Sequence, residues 1–245
     1  MGDHSLDYTM ETFIRDVALL DFVLDEKQQK QFFLYADLLR MWNERMNLTS
    51  ITDLPSIFVK HFLDSMYMAK LVFHERKDSR ILDMGTGAGF PGVVIGIMFP
   101  QYRVTLCDSL QKRTVFLREV QNILGLDQLE IVHGRAEELA KDAAYRSNFQ
   151  VVTARAVAKL STLVEWCLPF LTVGGTFAAM KGPDPHEEIA QADLSMRILG
   201  GKLQSVVSYD LPLDAGTHTI VQVKKVKPTS RMYPRKPGEA LRHPL

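Results

Sequence analysis

The fold of this 245-residue chain is decided by residues 81–92, which read Ile-Leu-Asp-Met-Gly-Thr-Gly-Ala-Gly-Phe-Pro-Gly. A short apolar run that ends in glycines predicts a buried strand leading into a loop. Because glycine has no Cβ, the backbone of such a loop turns sharply and comes close to a ligand. Pro91 suits the first turn of a helix, whose free N–H groups would then face that ligand. The stretch therefore predicts a strand, a ligand-binding loop and a helix in succession.

The chain beyond residue 80 alternates between strand-like and helical segments. Apolar runs fall near 81–84, 103–107, 129–132, 149–153, 175–180, 203–209 and 218–226, with helical stretches between the first six. This alternation predicts a mostly parallel sheet covered by helices on both faces, with ligands beyond the carboxyl ends of its strands. No helix separates the last two runs, which predicts an antiparallel hairpin closing the sheet.

The first eighty residues show helical spacing instead. Apolar residues keep a helical period from Met10 to Leu20. Asp25 and Gln28 form a capping-box pattern before a long apolar-periodic segment, and Asp53 marks another helix start. The pattern predicts a helical extension in front of the sheet.

The composition indicates a globular chain of ordinary type. Its length of 245 residues suits one large α/β domain or one domain plus an extension, and its apolar content of 46% is normal for a soluble globular protein. No apolar run approaches the roughly 20 residues that a bilayer requires, and the N-terminus lacks the apolar core of a signal peptide. Cys107 and Cys167 have no metal or redox spacing, and no His/Cys/Asp pattern suggests a metal site. We therefore expect a cytoplasmic protein with no membrane contact and no metal.

The formal net charge is zero, but the charges are unevenly distributed. Residues 1–30 hold seven acidic and three basic residues, whereas residues 224–245 hold seven basic residues and one acidic residue. A basic segment that also contains Tyr233 and prolines suits a nucleic-acid phosphate backbone. The alternative is a solvated tail.

The glycine loop fits two cofactor templates. Residues 87–92 match G-x-G-x-x-G, which is typical of dinucleotide-binding folds, whereas residues 85–89 match the G-x-G-x-G loop of S-adenosylmethionine (SAM) methyltransferases. Asp108, at the end of the second strand, suits the ribose hydroxyls of either cofactor. Asp83 favours SAM, because a carboxylate repels a pyrophosphate but tolerates an ammonium and a sulfonium. Alternatively, Asp83 only accepts hydrogen bonds from the N–H groups of the loop.

The end of the fourth strand bears on the target atom. Arg155 stands where many amino-methyltransferases have an Asn/Asp-Pro-Pro-aromatic motif, and neither cysteine is placed as a nucleophile. Such a site fits an atom that is already nucleophilic, such as guanine N7, for which catalysis is mostly alignment. Lys112 and Arg113 lie near a helix start, where bases are unfavourable for the helix dipole. They either bind RNA phosphates or form a solvated helix face.

Together these segments resemble the bacterial RsmG, or GidB, family of small-subunit ribosomal RNA guanine-N7 methyltransferases. The matching stretches are Trp42-Asn43, Met46-Asn47-Leu48-Thr49, His61-Phe62-Leu63-Asp64-Ser65, residues 83–92, Asp108-Ser109, Lys112-Arg113, Gly134-Arg135-Ala136-Glu137-Glu138, residues 154–158, Lys181-Gly182 and residues 233–238. They cover nearly the whole chain in order, and the last motif is far more specific than the glycine loop. Gln150 and residues 239–242 depart from the family pattern, and the second departure bears on RNA contacts.

The resemblance implies methylation of one guanine N7 in 16S rRNA, in the cytoplasm. It also implies SAM contacts at Gly85, Phe90, Ala136, Glu137 and Arg155, with Arg155 and the tail facing RNA. With the residues above, this gives a SAM site of Asp83, Gly85, Gly87, Gly89, Phe90, Asp108, Ala136, Glu137 and Arg155, with Arg155 as the catalytic residue. The expected RNA contacts are Lys112, Arg113, Lys159, Lys181, Arg231, Arg235 and Lys236.

The resulting hypothesis is a Rossmann-like class I SAM-dependent methyltransferase with a mostly parallel seven-stranded sheet. We expect a helical extension over 1–78, the SAM-binding domain over 79–226 and a basic tail over 227–245. The partner is 16S rRNA or the small ribosomal subunit, and the protein is expected to be a monomer. Two alternatives stay open, an NAD(P)-dependent oxidoreductase and a non-catalytic rRNA-binding assembly factor.

Overall fold

A computed structural model describes residues 8–73 and 79–245. Its centre is a seven-stranded sheet in the order β3-β2-β1-β4-β5-β7-β6. The strands are β1 (Arg80–Met84), β2 (Arg103–Asp108), β3 (Leu129–His133), β4 (Phe149–Arg155), β5 (Leu171–Lys181), β6 (Gly201–Leu211) and β7 (Gly216–Lys225). The first five are parallel, and β7 runs antiparallel to both β5 and β6. The mostly parallel sheet with a terminal hairpin is therefore confirmed.

Helices cover both faces of this sheet. They are α1 (Met10–Leu19), α2 (Glu26–Met46), α3 (Leu54–Ile57), a π-helical segment (Phe58–Leu63), α4 (Asp64–Phe73), α5 (Gly92–Met98), α6 (Gln111–Leu124), α7 (Ala136–Leu139), α8 (Leu160–Cys167), a 3₁₀ turn (Leu168–Phe170), α9 (His186–Leu199) and α10 (Glu239–Arg242). The helix starts at Asp25 and Asp53 form as predicted, the first as a full capping box. Pro91 caps α5 rather than entering its first turn.

Alternate residues of the strands face two separate cores, as the two-residue period of a strand requires. Ile81 packs with α5, α6 and the N-terminal helices, whereas its neighbour Leu82 packs with α8 and α9 on the other face. Phe62 from the N-terminal helices packs against both Phe32 and the loop residue Phe90 in the first core. The N-terminal helices and the sheet therefore share one hydrophobic core. The division at 78/79 remains a prediction, because residues 74–78 lie outside the described part of the chain.

Residues 227–245, here named the C-terminal strap, lie against the domain and are held at several points. The Arg146 guanidinium donates hydrogen bonds to the carbonyl oxygens of Thr229, Ser230 and Tyr233. Further along, Arg235 forms an ion pair with the buried carboxylate of Glu165. The strap is thus packed on the protein, which differs from a tail that is solvated along its length.

In the stretches 8–73 and 79–245, none of the helices combines the length and apolarity that crossing a membrane would require.

Candidate active site

The loop after β1 is shaped by three glycines with positive φ angles. These angles are +69° at Gly85, +63° at Gly87 and +101° at Gly89, in the region that disfavours residues with a side chain. A Cβ on Gly85 would lie 2.7 Å from Val157 Cγ2, and one on Gly89 would lie 2.6 Å from Tyr35 Oη. The loop therefore needs glycine for its conformation and for close packing.

Asp83, near the end of β1, holds the glycine loop through hydrogen bonds. Its carboxylate is fully buried and accepts hydrogen bonds from Thr86 Oγ1 at 2.6 Å, Gly92 N at 2.9 Å and Thr153 Oγ1 at 3.0 Å. Burial raises the pKa of Asp83, although these hydrogen bonds oppose the shift. Both carboxylate oxygens therefore accept hydrogen bonds from the protein itself. This agrees with the alternative in which Asp83 shapes the glycine loop by accepting hydrogen bonds. A direct SAM contact at Asp83 remains a prediction.

A cavity of about 280 Å³ lies at the carboxyl ends of β1, β2 and β3. Of the nine predicted cofactor residues, its lining includes Gly85, Asp108, Ala136 and Glu137, whereas Asp83, Gly87, Gly89, Phe90 and Arg155 lie outside the lining. The other lining residues are Met84, Cys107, Ser109, Gly134, Arg135, Val157, Trp166, Gly238 and Leu241. The cavity therefore lies where ligands bind in folds of this class.

Two buried carboxylates fix the walls of this cavity. Asp108 accepts hydrogen bonds from Gly87 N and Leu110 N at 2.9 Å and from Arg113 Nη1 at 3.2 Å. It thereby ties the end of β2 to the glycine loop. Glu137 Oε1 accepts from Trp166 Nε1 and from Gly238 N, both at 3.1 Å.

The residues of the cavity fit an adenosine-containing cofactor. Gly85 lines the cavity with Val157 packed where its Cβ would lie, and Asp108 stands at the strand end where ribose hydroxyls are bound in such folds. Trp166, Val157 and Leu241 offer apolar surface for a purine ring. Burial raises the pKa of the Cys107 thiol to about 12, so this lining residue is neutral and a poor nucleophile.

Arg155 lies beside the glycine loop in a cluster of its own. Its Nη1 donates to Asp64 Oδ2 at 3.1 Å and to the Lys60 carbonyl at 3.0 Å. The guanidinium carbon is 4.9 Å from the centre of the Phe90 ring, a cation–π distance. Only 17% of the Arg155 side chain is exposed. These contacts hold its guanidinium in one orientation.

His61 belongs to the same cluster and contacts both Phe90 and Arg155. Its ring lies 4.4 Å from that of Phe90, and its Nδ1 is 3.1 Å from Arg155 Nη2. Nδ1 also lies 3.2 Å from the Lys60 carbonyl oxygen, and Nε2 lies 3.0 Å from Thr49 Oγ1, so both ring nitrogens have partners within the protein. Burial, with the neighbouring charge of Arg155, lowers the pKa of His61 to about 3. His61 is therefore neutral.

Asp64 joins this cluster to the terminal hairpin. Its Oδ1 lies 2.7 Å from both Tyr209 Oη and His218 Nδ1. Burial favours a higher pKa for Asp64, but hydrogen bonds from His218 and Tyr209 and the charge of Arg155 outweigh it, so the pKa lies below its usual value. The same hydrogen bond to Asp64 raises the pKa of His218. One buried carboxylate thus orders three side chains from distant segments.

The sequence has clear relatives. The family described as rRNA small subunit methyltransferase G, GidB, matches residues 28–214. The chain belongs to the GidB family. The "Ribosomal RNA small subunit methyltransferase G" of Alkaliphilus metalliredigens is 43% identical over 92% of this chain and 94% of its own length. The protein of that name from Lactobacillus helveticus is 44% identical over 96% of this chain and 98% of its own length.

A solved structure shares the fold of this GidB chain. It is M. jannaschii TYW2 in complex with AdoMet, which superposes with a TM-score of 0.52 at 14% identity, over 67% of this chain and 75% of that one. At this identity the likeness concerns the fold alone. Family membership and fold together identify a methyltransferase rather than the oxidoreductase alternative.

The seven predicted RNA-contacting residues of this GidB chain differ in their exposure and in whether their charge is paired with a carboxylate. Lys159, Arg231 and Lys236 are exposed. Lys112 Nζ donates to the Met46 carbonyl at 3.3 Å from an exposed position, and Arg113 is paired with Asp108. The cations of Lys181 and Arg235 are engaged inside the protein by Glu188 and Glu165. The predicted contacts with phosphate therefore fall mainly on the first three residues.

The residues that order Arg155 were not among the predicted site residues. His61 and Asp64 stood in a matching motif of the GidB family, but a histidine in an amphipathic helix is more often structural. Tyr209 and His218 lie on the hairpin strands, far from Arg155 in sequence. Of these residues, only Arg155 lies at the carboxyl end of a parallel strand, where the sequence predicts a ligand site. Local sequence patterns therefore did not show that the others lie beside it. Among the described residues, no group of three His, Cys, Asp or Glu side chains is placed to hold a metal ion.

Proposed function

We propose that this protein transfers a methyl group from SAM to N7 of one guanine in 16S rRNA, in the cytoplasm. The observation that supports this most strongly is the cavity at the carboxyl ends of β1 to β3 in a chain of the GidB family. It combines a glycine turn, a strand-end acid and an aromatic wall, which together suit adenosine. Both cysteines are unpaired, as in a reducing compartment. The monomeric state belongs to the same proposal, and light scattering tests it.

SAM supplies an activated methyl group carried on a sulfonium. The protein's own task is to orient the two reactants, because guanine N7 carries a free lone pair and no proton has to be removed. The residues beside the loop agree with this task. His61 has both ring nitrogens engaged, and Asp64 is occupied by three donors, so neither is free to act as a base.

In this proposal Arg155 acts near the target base. Its guanidinium is held by Asp64, which offsets its positive charge, and it covers the face of Phe90. Methylation at N7 places a positive charge on the guanine ring. An arginine already paired with a buried carboxylate repels that charge less than an unpaired one would. We assign Arg155 the role of positioning the base beside the loop.

The test is transfer of labelled methyl from SAM to 16S rRNA that lacks the modification, free and within small subunits. We expect the label in 7-methylguanosine after digestion to nucleosides, and the two substrate forms show which one is used. Label in another nucleoside would overturn the N7 assignment. Binding of S-adenosylhomocysteine without any transfer to either substrate would favour the non-catalytic assembly factor.

A further inference from the structure

The C-terminal strap is fixed to the domain at its start and within the segment that lines the cavity. Before the cavity, Lys225 Nζ donates to the carbonyls of Leu168 and Leu199, both at 2.9 Å, and contacts Thr229 Oγ1. Between the lining residues Gly238 and Leu241, the Ala240 carbonyl accepts a hydrogen bond from Thr162 Oγ1 at 3.1 Å. These contacts tie the start of the strap to β7 and its cavity-lining segment to α8.

Arg235 anchors the middle of the strap most firmly. Its Nη2 lies 2.6 Å from Glu165 Oε2, its Nε lies 3.0 Å from Oε1, and its backbone N–H donates to the same Oε1 at 2.8 Å. The Glu165 side chain is 1% exposed. A buried carboxylate with several hydrogen bonds from one arginine gives a rigid contact. The residues that follow Arg235 therefore have a defined place.

That place is the wall of the cavity. Gly238 and Leu241 both line it, together with Ala136 and Glu137. The Gly238 N–H donates to the Oε1 atom of Glu137 that also receives the Trp166 indole. Leu241 lines the cavity although 55% of the residue is exposed, so its apolar side chain lies at the mouth.

We propose that residues 238–241 of the strap form part of the cofactor site, with Leu241 packing on the adenosine moiety. This inference rests on the proposed function, because it takes the cavity to be the SAM pocket. An apolar side chain at the mouth of a cavity is stabilised by covering an apolar ring. The specific strap motif at residues 233–238 then serves cofactor binding as well as any RNA contact.

The first experiment compares S-adenosylhomocysteine binding by calorimetry in the full chain and in Leu241→Ala. We expect affinity about fivefold weaker in Leu241→Ala, from the loss of one partly covered side chain. Leu194→Ala, at a leucine of α9 that is 60% exposed and outside the cavity lining, is the matched control and should bind as the unmodified chain does. Leu241→Met should restore affinity, since it restores apolar contact.

The second experiment measures amide exchange in the unmodified chain with and without S-adenosylhomocysteine. We expect slower exchange over residues 238–242 on binding, with no change over residues 193–199 of α9. Unaltered affinity in Leu241→Ala and unaltered exchange over 238–242, in a chain that binds the ligand, would overturn the inference and leave the proposed function standing. Failure of the unmodified chain to bind the ligand would overturn both.

Discussion

Gly85 turns the chain out of β1 with a φ angle of +69° and leaves no room for a side chain. A Cβ there would lie 2.7 Å and 2.9 Å from the two methyl carbons of Val157. Gly125, at the end of α6, has a similar φ of +63° but open space around its Cα. A substitution at Gly125 therefore tests the effect of the backbone angle alone, whereas one at Gly85 adds the effect of crowding Val157 in the cavity wall.

We expect Gly85→Ala to weaken S-adenosylhomocysteine binding at least tenfold, because the displaced Val157 also lines the cavity. Both Gly85→Ala and Gly125→Ala should lose about 1 kcal/mol of unfolding free energy to left-handed strain. Calorimetry and urea unfolding measure the two effects. Equal ligand affinity in the two variants would contradict the role given to Gly85.

At the scale of elements, the π-helical segment Phe58–Leu63 carries His61 and the Lys60 carbonyl to Arg155. A helix of this type shifts the side-chain positions relative to an α-helix, and such segments are frequent at functional sites. Here it presents the His61 ring to Phe90 on one side and to Arg155 on the other. The N-terminal helices thereby contribute directly to the site on the sheet.

The pH dependence of stability reports on this contact. The folded pKa of His61 is about 3, against an ordinary 6.5. Between these values the unfolded chain binds a proton that the folded chain does not, so His61 lowers stability as pH falls below 6.5. The slope is at most about 1.4 kcal/mol per pH unit. His218 has the opposite shift, so its contribution is complete below 6.5 and is lost as pH rises through its folded pKa.

Urea unfolding between pH 5 and 6.5 should therefore show a shallower dependence on pH in His61→Asn than in the unmodified chain. His186→Asn, at an exposed histidine, should run parallel to the unmodified chain. If the two variants had the same slope, His61 would not be held neutral in the folded state.

At the scale of the whole molecule, the strap gives two adjacent cations different roles. Arg235 is used inside the protein by Glu165, whereas Lys236 is exposed. Only a free cation contributes fully to the salt dependence of RNA binding, because it releases counterions from phosphate. The number of basic residues in the strap is therefore larger than the number of cations available to bind phosphate.

We expect Arg235→Ala to lose about 3 kcal/mol of unfolding free energy, because it leaves the Glu165 charge buried without its partner. Lys236→Ala should keep its stability and lower the slope of log affinity for 16S rRNA against log salt by about one. Lys202→Ala, at an exposed lysine of the edge strand β6, is the control and should change neither quantity. An unchanged slope in Lys236→Ala would remove this residue from the RNA interface.

The sequence by itself determined the parts of this protein that depend on neighbours in the chain. The strand, glycine loop and helix over residues 81–98, the helix starts at Asp25 and Asp53, and the terminal hairpin all follow from local periodicity and turn chemistry. The motifs were also specific enough to indicate the family. Strand ends marked Gly85 and Asp108 as site residues, because parallel strands bring their carboxyl ends to one edge.

Only the tertiary structure decided which distant residues meet. Asp64 reaches Arg155 across 91 positions of the chain and His218 across 154, since the order of the strands places β4 and the hairpin beside the N-terminal helices. The same holds for Gly238, which meets Glu137 across 101 positions. A periodic pattern shows that a side chain is buried or exposed, but its partner depends on how the elements pack. For that reason the roles of Asp64, Arg235 and Leu241 could not be predicted from local patterns.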